Sequence, residues 1–172
     1  KTDKKISGIL MDMSSLNAGM ASLEEIRNAL IDFKESGKFL IAYSENFTQK
    51  SYYLATVASE VYVFPEGMVE FRGLGAELMF FKGMIDKLGV DVQIIRGSNN
   101  KFKSAVEPLM LDSMSDANRK QTMTYINAMW NQMLTGISAT RGISIAQLNE
   151  MADSVYVRNA ETAVQYKLVD GM

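Results

Sequence analysis

Apolar residues fall into two kinds of run along this 172-residue chain. Short, nearly continuous runs predict buried strands, and longer stretches with an apolar residue every three or four positions predict amphipathic helices. "KISGILMDM" (5–13), "KFLIAYS" (38–44), "EVYVFP" (60–65) and "VDVQIIRG" (90–97) are of the first kind. Pro65 and Gly67 mark a turn, after which "MVEFRG" (68–73) alternates like a further short strand. Leu23, Ile26, Leu30 and Phe33 hold helical spacing, in a helix opened by the capping-box pair Ser22 and Glu25 and stopped by Gly37. "TQKSYYLATVAS" (48–59) reads as a short buried helix, and 75–89 as another with Leu78, Phe81 and Ile85 on one face. Ser115 is placed to cap a long helix reaching about Thr140. Ser144 with Gln147 opens the next, "SVYV" (154–157) suggests a strand, and Asn159 caps a last helix. Strands alternating with helices predict an α/β fold with a mainly parallel sheet and a helical C-terminal part.

Composition narrows the function. With 47% apolar and 22% charged residues, the chain suits one domain over 1–172 with a sizeable core. Its net charge of −2 leaves no basic stripe to neutralise phosphates, so no nucleic-acid partner is expected. No apolar run approaches the roughly 20 residues that span a bilayer. The chain starts at Lys1, so it reads as a piece of a longer protein, with any membrane anchor outside it. There is no Cys and no His. Disulfides, thiolate nucleophiles, a Ser-His-Asp triad and an HExxH zinc site are therefore excluded within the chain. Neither a metal nor a cofactor is expected, and acid–base work near neutrality must use Lys, Asp, Glu or Tyr.

Against that background "GSNNKFKSAVEP" (97–108) stands out, because it sets Lys103 where a strand gives way to a helix. On spacing alone a solvated loop lysine is the commoner reading, and a base for proton transfer the sharper one. Other candidates have plainer roles. Tyr52 and Tyr53 fit a buried helix better than a peptide groove. Met123, Met129 and Met133 fit a core face. Glu24 and Glu25 look like first-turn charges, and Gly19 in "NAGMAS" like a turn glycine.

The segments "SENFTQKSYYLATVASEVYVFPEG" (44–67), "GLGAELMFFKGMIDKLGVDVQIIRG" (73–97), "NKFKSAVEPLMLDSMS" (100–115) and "YKLVDGM" (166–172) together resemble signal peptide peptidase A (protease IV), in the amino-terminal repeat of its long two-repeat form. The likeness covers nearly the whole chain, and "KSAVEP" is its most specific part. It implies a Clp-protease/crotonase-like fold built from repeated ββα units. It also implies a serine endopeptidase with a Ser–Lys dyad that degrades cleaved signal peptides in a membrane-anchored, extracytoplasmic (periplasmic-face) homo-oligomer. In that form the first repeat holds the lysine, at the position of Lys103, and the second repeat holds the serine. Phe102 stands where the family has tyrosine. The second repeat's "SGGYW"-like nucleophile segment aligns with "QKSYY" (49–53), so Gln49 takes the nucleophile position and Ser51 lies two places out of register. The chain alone is therefore expected to be inactive.

The chemistry such a lysine must perform sets requirements on its surroundings. A serine hydroxyl needs a neighbouring base. A lysine amine, with a pKa near 10.4 in water, serves near neutrality only if burial strips its hydration. Phe102, Ala105 and Val106 are expected to supply apolar flanks. Glu107 is expected to turn away, toward Arg96 or a backbone donor, because a close carboxylate would favour the charged amine. Ser104 is expected to cap the following helix. The alternative is a non-catalytic crotonase-like assembly module with Lys103 on its surface. Acyl-thioester chemistry finds no nucleotide- or acyl-binding signature.

Overall fold

Three strands alternate side chains inward and outward, and that alternation organises the larger part of the molecule. The computed structural model describes residues 1–97 and 99–172. Strands β1 (Gly8–Asp12), β2 (Phe39–Phe47) and β3 (Glu60–Val69) form a parallel sheet in the order β1-β2-β3. Helix α1 (Met20–Lys34) joins the first pair and α2 (Gln49–Ala55) the second. A helix therefore stands between each consecutive pair of strands, and these residues form a β-α-β-α-β run. On the inner face Leu40, Ala42, Ser44, Val61 and Val63 are fully buried. The outer face leaves Leu10, Phe39, Tyr43 and Phe64 exposed. The described residues divide into two compact units, Lys1–Gly73 with Gln132–Met172 and Leu74–Asn131.

In the first unit α2 packs on β2 and β3, and α1 packs on α2. Thr48 caps α2 by accepting the Ser51 N–H. Tyr52 and Tyr53 are both fully buried, as the sequence suggests. Tyr52 meets Phe47 and Phe71 edge-on, each with ring centroids 6.1 Å apart, and its hydroxyl donates to the Leu168 carbonyl at 2.7 Å. Such aromatic pairs add about 0.5–1.5 kcal/mol each beyond the area they bury. Met133, Leu134 and Ile137 of α5 (Asp116–Arg141) join this core, as do Leu148 of α6 (Ile145–Asp153) and Ala163 of α7 (Ala160–Gln165). Ser144 with Gln147 and Asn159 with Thr162 close capping boxes at the starts of α6 and α7. Asp170 beside β3 accepts both Arg141 Nη atoms, at 2.8 and 2.9 Å, and the Val61 N–H at 2.8 Å.

Several elements depart from the sequence pattern. Helix α1 starts at Met20 after Gly19, so Ser22 and Glu25 lie inside it and do not cap it. Glu24 accepts the Tyr53 hydroxyl at 2.6 Å and is no first-turn charge. Arg27, rather than Ile26, is buried between Leu23 and Phe33, where it donates to the Tyr53 carbonyl, to Thr56 and to the Gly136 carbonyl. Its guanidinium lies over the Tyr53 ring, 4.0 Å from the centroid. Pro65 and Gly67 do not separate two strands: they lie in a bulge within β3, between the pairs Ser44↔Val63 and Asn46↔Met68. A Cβ on Gly67 would fall 1.9 Å from the Glu45 carbonyl oxygen, which explains the glycine. Residues 154–157 form a turn that closes off α6, and no strand: the Tyr156 N–H returns to the Met151 carbonyl, with Val155 at φ 49°.

The second unit carries α3 (Lys82–Lys87), α4 (Glu107–Met110) and the first part of α5. Residues 90–97 form no strand where described, because a strand needs a ladder partner and the sheet's three strands all lie within residues 8–69. The helix expected over 75–89 is regular only at 82–87, since no residue of α3 is buried and so short a helix lacks tertiary support. Among the described residues of 74–131, only Glu107 and Asn118 are buried, at 3% and 4% exposure.

Candidate active-site lysine and its loop

Lys103 sits in a tight loop made by hydrogen bonds to the backbone. Its N–H donates to the Asn100 carbonyl at 2.9 Å. Arg96 Nη2 donates to the carbonyls of Asn100 (3.0 Å) and Lys103 (2.7 Å), so one guanidinium fixes both ends of the turn. Arg96 Nε is buried and finds no acceptor among the described residues. Asn99 enters the turn at φ 62°, a left-handed conformation that asparagine tolerates. Lys103 lines a hollow of about 290 Å³ with Ile95, Asn100, Ala105 and Val106. The apolar cover expected around the amine is missing here: Lys103 and Ala105 are exposed, and Phe102 is 52% exposed. The cause is local, because among its described residues this unit buries no apolar side chain against which the loop could fold.

Glu107 behaves as the sequence suggests. Its carboxylate faces the start of α5, where it accepts the Ser115 hydroxyl at 2.6 Å, the Asn118 side-chain amide at 2.8 Å and the Ser115 N–H at 3.2 Å. Burial alone would raise its pKa. The Ser115 and Asn118 donors, with the positive charge of Arg96, outweigh that and hold the carboxyl below its ordinary value. Ser115 also accepts the Asn118 N–H at 3.2 Å, which is the expected cap of α5. Ser104 does not cap α4, which begins after Val106 without a side-chain cap; only its carbonyl takes part, accepting the Glu107 N–H at 3.0 Å. Among the described residues Lys103 forms no ion pair.

In the first unit, Gln49 opens α2 directly after β2. Its side-chain oxygen accepts the N–H groups of Arg72 (3.0 Å) and Gly73 (3.1 Å), and its nitrogen donates to the Gly73 carbonyl at 2.9 Å. It ties down the chain beyond β3 and offers no nucleophile. Ser51 is buried, and its hydroxyl donates to the Thr48 carbonyl at 3.0 Å. The sequence pattern places Arg96 near Glu107 but does not reveal its grip on the Asn100 and Lys103 carbonyls, nor the hold of Ser115 and Asn118 on the carboxylate. The spacing Ser115-x-x-Asn118 at a helix start is the sequence signal for the cap, and nothing in it points to the Glu107 carboxylate.

No group of three or more Asp or Glu residues among those described is placed to hold a metal ion, and no described helix is long and apolar enough to cross a membrane. The profile of peptidase family S49 matches residues 32–172. The chain is 36% identical over 180 aligned positions to Protease 4 of Salmonella typhi, covering 100% of this chain and 29% of that protein. It is 37% identical over 142 positions to Protease 4 of Haemophilus influenzae (82% of this chain, 23% of that one). It is 30% identical over 140 positions to the chloroplastic serine protease SPPA of Arabidopsis thaliana (81% and 20%). The chain thus spans less than a third of the length of each of these relatives. With most of its length inside the S49 profile, and with relatives that are named proteases, this chain belongs to peptidase family S49.

Proposed function

We propose that this chain is the lysine-bearing repeat of a Ser–Lys serine peptidase, with Lys103 as its general base and the nucleophilic serine in a second repeat of the same polypeptide. One observation carries the reading: the carboxylate nearest Lys103 in sequence, Glu107, is fully engaged by Ser115 and Asn118, so it does not hold the amine as a charged pair. The engaged side chain of Gln49 supports placing the serine elsewhere.

The neutral Lys103 amine takes the proton from the serine hydroxyl as the oxygen attacks the peptide carbonyl. The resulting ammonium returns that proton to the departing amine, and water releases the acyl group by the same route. For this step the serine-bearing repeat has to shield the exposed Lys103 amine from water. The whole protein shares the Clp-protease/crotonase-like fold with repeated ββα units. It works as a homo-oligomer on the extracytoplasmic face of the inner membrane, held there by a segment outside these residues. Its substrates are extended, mostly apolar peptides such as cleaved signal sequences.

The test is turnover of an apolar peptide by the intact protein carrying Lys103→Ala or Lys103→Arg. Both are expected to lose about 10²–10⁴-fold in kcat, the span that positioned proton transfer contributes. Arginine fails with alanine because its guanidinium stays protonated. Full turnover in either variant removes Lys103 from the reaction.

A further inference from the structure

We propose that Glu107, acting through Ser115 and Asn118, is a positioning residue that fixes the Lys103 loop against the start of α5. This rests on the reading of Lys103 as the base and adds the part that holds it in place.

The loop has no apolar packing to set its position, since Glu107 and Asn118 are the only buried residues described between Leu74 and Asn131. Hydrogen bonds do that work instead. From Asn100 onward the backbone is linked in short steps: Lys103 N–H to the Asn100 carbonyl, Glu107 N–H to the Ser104 carbonyl, Leu111 N–H to the Glu107 carbonyl. At one end of this path Arg96 grips the carbonyls of Asn100 and Lys103. At the other, Glu107 takes three donors from the first turn of α5. Thr122 donates to Asn118 Oδ1 at 3.3 Å, which turns the Asn118 amide nitrogen toward the carboxylate. A buried carboxylate is costly unless its acceptor sites are filled. Here they are filled from a single helix end, so the residue ties the loop to a long rigid element. A displacement of about 1 Å at a catalytic group costs on the order of 10²-fold in rate, which makes such a tie matter.

The experiment measures kcat, KM and the pH profile of kcat/KM for the intact protein on a fluorogenic apolar peptide. Glu107→Ala is expected to lower kcat about ten- to a hundred-fold while KM stays within about twofold. Glu107→Gln is expected to recover kcat to within about threefold of the parent, because its amide oxygen still accepts two N–H groups and its nitrogen can donate to the Ser115 hydroxyl. The acid limb of its profile stays in place. Parent kcat in Glu107→Ala overturns the proposal. So does Glu107→Gln that is as slow as alanine, or whose acid limb moves to lower pH, since the carboxylate charge would then act on the amine directly. Where Glu107→Ala does not fold, Ser115→Ala replaces it: a several-fold loss of kcat at unchanged KM is expected, and parent kcat overturns. Lys103→Ala run in parallel separates the two ideas. Turnover surviving there ends the base reading and this one with it. Turnover lost there but intact in Glu107→Ala ends the positioning role alone.

Discussion

Lys103 and Glu107 lie four positions apart, and the chain treats their charges in opposite ways. The amine is left in the open, and the carboxylate is enclosed by three donors. The second fate is legible in the sequence, because a glutamate four residues from a proposed base has to find other partners if that base is to act. The first is not, because cover for the amine depends on residues beyond this loop. A second carboxylate gives a test at this scale. Burial would raise the Asp170 pKa, but the Arg141 ion pair and the Val61 N–H hold it below its ordinary value of 3.8. Since the folded state lowers this pKa, the stabilisation is complete above about 3.8 and disappears as pH falls through the folded value. Thermal midpoints recorded from neutrality to about pH 2 should therefore drop more steeply at the acid end for the parent than for Asp170→Asn. Superimposable acid profiles would remove Asp170 from the acid lability.

Elements decided by a local signal are legible in the sequence. The caps at Ser144 and Asn159, the stop at Gly37 and the short buried helix at 49–55 depend on neighbours a few residues away, and all are observed. Segments whose state depends on distant partners are not legible in the sequence. Residues 90–97 have strand chemistry but no ladder partner, and most of 75–89 has helical spacing but no surface to cover. Arg27 shows the same limit, since hydropathy spacing favours Ile26 while carbonyls from α2 and α5 reward a buried guanidinium. That guanidinium makes Gly136 of α5 indispensable. A Cβ there would lie 2.7 Å from Tyr53 Cε2 and 3.0 Å from Arg27 Nη2. Gly136→Ala is expected to cost about 1–3 kcal/mol through overpacking, which urea unfolding would register as a lower midpoint at unchanged slope. An unaltered midpoint would mean that this helix contact is looser than drawn.

At the scale of the whole molecule, membership of peptidase family S49 and the engaged side chain of Gln49 point the same way. The chain holds Lys103 on a braced loop, and in the proposed mechanism the hydroxyl it serves comes from outside residues 1–172. Its motifs showed the kinship early, because "KSAVEP" is a local string. The partners of Glu107, Ser115 and Asn118, lie beyond that string. The most direct measurement is to treat the intact protein with a serine-reactive fluorophosphonate, locate the adduct by peptide mass spectrometry, and compare labelling rates with and without Lys103→Ala. The expected result is one adduct on a serine outside this chain, formed at least about 10²-fold more slowly when Lys103 is alanine. An adduct on a serine within residues 1–172, or labelling at an unchanged rate in the variant, would contradict it.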